Sequence, residues 1–138
     1  VNEAVARGAK VLAGGNRRGA LLEPTVIANV PRDCRMVVSE SFGPLAPILP
    51  VRDFDDAITL ANSTAYGLSS GVVTSSLDNA LKAVKLLRCG TVNINEIPGF
   101  PVEHSPFGGV KDSGLGNKEG VIEAIKCFTT VKTFSLPW

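Results

Sequence analysis

With 138 residues, 44% of them hydrophobic and 20% charged, the chain has the composition of an ordinary globular protein. It is long enough to bury about two-thirds of its unfolded surface in one domain. A net charge of +1 with scattered basic residues leaves no electrostatic footprint for nucleic acid or an anionic membrane.

No apolar run nears the roughly 18 residues that would span a bilayer, and no signal peptide is visible. Three cysteines, Cys34, Cys89 and Cys127, form no C-x-x-C pair, and His104 is the single histidine. Neither a disulfide framework nor a metal site is expected, and free thiols suit a reducing compartment. The expected location is the cytoplasm.

In chain order, V-N-E-A-V-A-R-G reads as the last two turns of a helix, with Val1, Ala4 and Val5 on one face and Gly8 as the stop. No N-cap opens it, and so short a helix is marginal alone. The chain therefore reads as a fragment of a longer one. Residues 10–13 read as a short strand ended by Gly14-Gly15. Residues 21–30 read as a second extended segment, placed at an edge by Pro24 and ended by Pro31.

Residues 46–51 (A-P-I-L-P-V) suit a buried strand. Asp53 is positioned to cap a helix whose Phe54, Ala57, Ile58 and Ala61 fall at i, i+3, i+4 and i+7. Residues 71–74 form the next β-branched strand. Ser76 caps a helix with Leu77, Ala80, Leu81, Val84 and Leu87 on one stripe, stopped by Gly90. Lys82, Lys85 and Arg88 end this helix as a solvated face that suits its dipole. Residues 91–94 (T-V-N-I) make a third strand.

Strand, helix, strand, helix, strand with short connections predicts an α/β fold with a parallel β-α-β-α-β core. Ligands of open α/β sheets bind outside the carboxyl ends of the strands, which points to residues 95–104 and the glycine-rich segment after them as the functional rim. The glycine-rich run 108–116 lacks both G-x-G-x-x-G and G-x-x-x-x-G-K-[ST], so its glycines are read as turn formers. Asn117 is the expected cap of a last helix carrying Val121, Ala124, Ile125 and Phe128. The ending T-T-V-K-T-F-S-L-P-W reads as a terminal strand, with Lys132, Phe134, Leu136 and Trp138 on one face.

The stretch S-E-S-F-G-P, residues 39–44, places one carboxylate between two apolar runs. A loop acid is ordinarily just solvated, and pattern alone favours that reading of Glu40. Against it, keeping an idle acid beside Phe42 and near buried strands is costly. A carboxylate there can accept hydrogen bonds from vicinal hydroxyls, as acidic residues do with nucleotide riboses. The cysteines carry no such signal. Cys34 lies between Arg32 and Arg35, Cys89 ends a helix, the wrong end of the dipole for a thiolate, and Cys127 is on the last helix. Each reads as a small buried or half-buried filler, and His104 as structural.

Glu40-Ser41-Phe42-Gly43-Pro44 resembles the E-x-F-G-P motif of the aldehyde dehydrogenase superfamily. Three further stretches agree in order and spacing: residues 61–68 (A-N-S-T-A-Y-G-L), 90–95 (G-T-V-N-I-N) and 105–114 (S-P-F-G-G-V-K-D-S-G). The resemblance runs from Gly8 to the tail. It implies the C-terminal part of the catalytic domain over residues 1–128 and an oligomerisation strand over residues 129–138, in a dimer or tetramer. It also implies that Glu40 hydrogen-bonds the nicotinamide ribose of NAD or NADP, that Phe42 packs beside the ring, and that Asn95, Glu96, Phe100 and His104 belong to a loop lining the substrate entrance. The family's nucleophilic cysteine, oxyanion-hole asparagine and general-base glutamate lie upstream of the matched region, so no catalytic residue is expected in this chain.

The ending K-E-G-V-I-E-A-I-K followed by F-T-T-V-K-T-F-S-L-P-W is similar to the phosphonoacetaldehyde dehydrogenase branch, and lactaldehyde and semialdehyde dehydrogenases share much of the pattern. The implied function is that of part of an NAD(P)-dependent enzyme oxidising a small aldehyde to a carboxylic acid through a cysteine thiohemiacetal. The competing reading is a stand-alone, non-catalytic binding or oligomerisation module on the same fold.

Overall fold

A computed structural model describes residues 1–99 and 103–137, in two units, one from Val1 to Thr64 and one from Ala65 onward. In the first unit, α1 (Asn2–Ala6) ends at Arg7, and Gly8 follows at φ +94°, a left-handed value natural to glycine. Then come β1 (Lys10–Ala13), β2 (Arg17–Arg18), β3 (Leu21–Leu22), β4 (Thr25–Ala28), α2 (Arg35–Val38), β5 (Leu45–Ile48) and α3 (Phe54–Asn62).

β4 is the middle strand of a three-stranded sheet, antiparallel to β1 and parallel to β5, with Thr25 opposite Leu45 and Ala28 opposite Ile48. This corrects the edge position expected from Pro24. That proline stands just before the first paired residue, so it removes no ladder N–H. Pro47 lies in β5, the outer strand, where a missing donor is tolerated. The sheet's core is Ala4, Ala9, Ile27, Val30 and Cys34, with Val1, Val11, Met36, Val37 and Leu49 packed against it. Fully burying Ile27 contributes roughly 1.5–3 kcal/mol. Of the predicted α1 face, Ala4 is buried, whereas Val5 is exposed.

α3 is capped as predicted, the Asp53 side chain accepting from the Asp56 N–H at 2.8 Å. Asp56 itself is buried, 5% exposed, and a buried carboxylate must be paired. Arg32 donates from both terminal nitrogens, at 2.8 Å to Oδ1 and 2.6 Å to Oδ2, and the Arg52 backbone N–H donates to Oδ2 at 3.0 Å. Arg32 also reaches the Pro50 carbonyl at 3.2 Å, so one network joins the exits of β4 and β5 to the start of α3. The Arg32 fork, aided by the Arg52 N–H, holds the Asp56 carboxyl well below the usual carboxylate range.

A depressed carboxyl stabilises the fold where it is ionised. As pH falls the unfolded chain takes the proton first, so the stabilisation is complete at neutral pH and declines below about pH 4. Asp56→Asn is expected to lower the thermal midpoint at pH 7 by roughly 10 °C, with the gap to the native protein shrinking at pH 3. Circular dichroism melts showing the same gap at both pH values would contradict this.

The second unit contains β6 (Tyr66–Gly67), β7 (Ser69–Val72), α4 (Leu77–Leu86), β8 (Thr91–Ile94), β9 (Phe107–Lys111), β10 (Gly116–Glu119) and α5 (Val121–Phe128). β7-α4-β8 is a parallel crossover, in register from Ser69 with Thr91 to Val72 with Ile94. Ser76 caps α4, its Oγ accepting from the Asn79 N–H at 3.3 Å. The helix turns Ala83 inward and leaves Leu77, Leu81 and Val84 of its apolar stripe exposed.

Two glycine roles differ from those expected. α4 ends at Leu86 with Leu87 extended, and Gly90 instead permits a close approach: a Cβ there would lie 1.7 Å from the Gly108 carbonyl oxygen. Gly108 and Gly109 belong to β9, the middle of a sheet ordered β10-β9-β6, so they are strand residues rather than turn formers. Asn117 pairs with Gly108 in β10, and Gly120, at φ +87°, takes the position before α5. The hairpin consumes the residue that the pattern offered as a cap. Beyond α5, residues 129–137 are exposed and pair with no strand among the described residues; Trp138 lies outside them.

Candidate functional site

The segment that carries Glu40 is fixed at both ends. On its N-terminal side, the Arg35 N–H donates to Glu3 Oε1 at 3.3 Å, and this bond first of all holds the Glu3 carboxyl below its ordinary value. The Ser39 N–H closes α2 on the Arg35 carbonyl at 2.9 Å. On the other side the Gly43 N–H donates to the Ser41 carbonyl and the Leu45 N–H to the Gly43 carbonyl, both at 2.9 Å. These are two successive three-residue turns. The Pro44 carbonyl then accepts from the Thr25 N–H at 2.8 Å, where β4 and β5 begin to pair.

So constrained, the loop presents Glu40 and Phe42 outward, the phenylalanine 95% exposed. Both line an open cleft of about 940 Å³ together with Arg17, Arg35, Met36 and Ser39. An apolar ring, a carboxylate and two arginines thus line one cleft. The structure thus brings Glu40 and Phe42 together in the first unit.

The other predicted residues belong to the second unit. Asn95 follows β8 at φ +56°, an uncommon value that asparagine tolerates. Its N–H donates to the Val72 carbonyl at 2.7 Å and its Oδ1 accepts from the Thr74 N–H at 2.8 Å. Glu96 Oε1 accepts from the Ile97 N–H at 3.0 Å. Asn93 Nδ2 donates to the Ile97 and Pro98 carbonyls at 3.1 and 3.2 Å, and Ser69 Oγ donates to the same Pro98 oxygen. Glu96 therefore uses its carboxylate on the loop's own backbone, whereas Asn95 uses its side-chain oxygen on the connection between β7 and α4. His104 is exposed, and Phe100 lies outside the described residues.

Sequence reasoning missed the anchors Glu3, Thr25, Ser69 and Asn93. Glu3, Thr25 and Ser69 reach backbone groups far along the chain, whereas Asn93 bonds groups four and five residues on. The cysteines are placed as fillers in two cases: Cys34 is in the core, and Cys89 donates to the Thr91 carbonyl at 3.2 Å beside the Ser70 hydroxyl. Cys127 departs from that reading, being exposed on α5. Among the described residues no three of His, Cys, Asp and Glu gather as metal ligands, and no helix is long and apolar enough to cross a membrane.

The family model described as "Aldehyde dehydrogenase family" matches residues 1–134. The chain is 39% identical over 133 residues to a lactaldehyde dehydrogenase of Methanococcus maripaludis, which covers 96% of the chain and 28% of that protein. It superposes with a TM-score of 0.84 on aldehyde dehydrogenase 21 of Physcomitrella patens, solved with its reaction product succinate, at 43% identity over 91% of the chain and 26% of that structure. The glyceraldehyde-3-phosphate dehydrogenase of Methanocaldococcus jannaschii, complexed with NADP, gives a TM-score of 0.82 at 41% identity over 91% of the chain and 27% of that structure. The chain thus spans about 28% of the length of the curated relatives it matches. With 134 of its 138 residues matched by that family model, the chain belongs to the aldehyde dehydrogenase family.

Proposed function

We propose that the chain works as the C-terminal part of an NAD(P)-dependent aldehyde dehydrogenase, which oxidises an aldehyde to a carboxylic acid, and that Glu40 and Phe42 hold the nicotinamide end of the cofactor. The observation that carries this reading is the outward presentation of both side chains from a loop fixed at both ends. The residues fit the group. Phe42 offers an apolar face to the ring, Glu40 offers two acceptor oxygens to the ribose hydroxyls, and the cleft is large enough for a nucleotide-sized ligand.

When bound, the dinucleotide supplies the hydride acceptor. This chain's contribution is orientation, since hydride transfer demands a fixed distance and angle. The nucleophilic cysteine that forms the thiohemiacetal, its oxyanion hole and its base belong to the family's upstream segment. The substrate is a short polar aldehyde. Lactaldehyde and glyceraldehyde 3-phosphate, from which two relatives take their names, are of this class, and so is phosphonoacetaldehyde. Asn95, Glu96 and His104 border its entrance, and the assembly is a cytoplasmic homo-oligomer.

The purified 138-residue chain is expected to form no NADH or NADPH from any aldehyde, whereas a full-length protein containing it does. Dinucleotide reduction by the isolated chain, abolished by replacing one of its cysteines, would overturn the assignment. A full-length protein that binds partners but oxidises no aldehyde would support the non-catalytic module instead.

A further inference from the structure

Thr25, 1% exposed, joins three segments through one residue. Its N–H donates to the Pro44 carbonyl at 2.8 Å, its Oγ1 accepts from the Gly15 N–H at 2.9 Å, and its hydroxyl donates to the Glu23 carbonyl at 2.7 Å. The Gly14-Gly15 turn presses directly on this point. Gly14 has φ +71°, and a Cβ on it would meet the Pro24 carbonyl oxygen at 2.0 Å. Resting on the reading of Glu40 as a ribose ligand, we propose that Thr25 is a positioning residue for the cofactor, acting through Pro44 on the loop that carries Glu40 and Phe42.

The loop has little slack in which to absorb a shift of its anchor. Between Pro44 and Glu40 the backbone is closed by the Leu45-to-Gly43 and Gly43-to-Ser41 bonds, and beyond Glu40 it is held through Ser39 and Arg35. Removing the hydroxyl leaves the Gly15 N–H and the Glu23 carbonyl without this partner at a part-buried point. The backbone relieves that cost by moving at Pro24-Thr25, and the Thr25 N–H carries Pro44 with it. Valine matches threonine in shape and isolates the effect of the hydroxyl.

In the complete enzyme, Thr25→Val is expected to raise the KM for NAD or NADP about tenfold while the aldehyde KM stays within about twofold, and Thr25→Ser is expected to restore the native value. A second measurement needs no variant. Adding NAD or NADP to the native protein should slow hydrogen exchange of the Thr25 amide about tenfold, because a ligand seated on the loop disfavours opening of the bond to Pro44. A destabilised Thr25→Val with unchanged dinucleotide KM per active site, a Thr25→Ser as impaired as the valine variant, or an amide whose exchange ignores the dinucleotide would each overturn the proposal. Glu40→Gln in the same assay separates the two ideas. If it raises the dinucleotide KM and Thr25→Val does not, Thr25 alone is misassigned; if it has no effect either, the cofactor reading falls and takes this proposal with it.

Discussion

Replacing Glu40 with glutamine in the complete enzyme is expected to slow hydride transfer roughly 10- to 100-fold, with the thermal midpoint nearly unchanged. The amide keeps the shape of the side chain but loses the charge that strengthens a hydroxyl-to-carboxylate hydrogen bond. It also trades one acceptor for a donor, so the two ribose hydroxyls no longer both find an oxygen. Folding suffers little because Glu40 is exposed and the loop is held by backbone groups of Ser41, Gly43, Pro44 and Leu45. Single-turnover kinetics with a deuterated aldehyde isolates the step. Native turnover and native cofactor KM in a normally stable variant would return Glu40 to the role of a solvated loop acid.

The second large effect concerns the tail. Val131, Phe134 and Leu136 are 93%, 78% and 65% exposed on a segment that pairs with no strand among the described residues. Burying each contributes roughly 1.5–3 kcal/mol, and an unpaired extended segment with a single lysine offers its backbone to another chain. We propose that residues 129–138 add as a strand to a neighbouring subunit in a dimer or tetramer. Deleting residues 131–138 from the complete protein is expected to yield monomers or aggregates. Light scattering that still reports the original assembly would rule the tail out as the joining element.

What was legible in the sequence was what local chemistry decides. Gly8 at the end of α1, Asp53 and Ser76 as caps, and the β7-α4-β8 crossover follow from capping residues and apolar spacing within one helical or strand period. What escaped depends on partners distant along the chain. β4 is central because β1 and β5 flank it, and nothing within residues 25–28 says so. Asp56 reads as one more acid in a first helical turn, and only the fold shows Arg32, 24 residues earlier, clasping it. The β9-β10 hairpin is rich in glycine, so it shows no apolar alternation, and its backbones approach because side chains are missing. At the proposed site, Glu40 and Phe42 are singled out by motif alone, while the anchors of their loop act on backbone groups and leave no trace in residue type.

The proposed contact between the Glu40 carboxylate and the nicotinamide ribose can be isolated from the other contacts of the cofactor. Its most direct measurement is a thermodynamic cycle by titration calorimetry, combining Glu40→Gln with a dinucleotide that lacks the nicotinamide-ribose hydroxyls. Each change alone is expected to weaken binding about tenfold, and the two together by no more than either one, because both remove the same contact. Losses that simply multiply, giving about a hundredfold for the pair, would show that Glu40 and those hydroxyls do not meet.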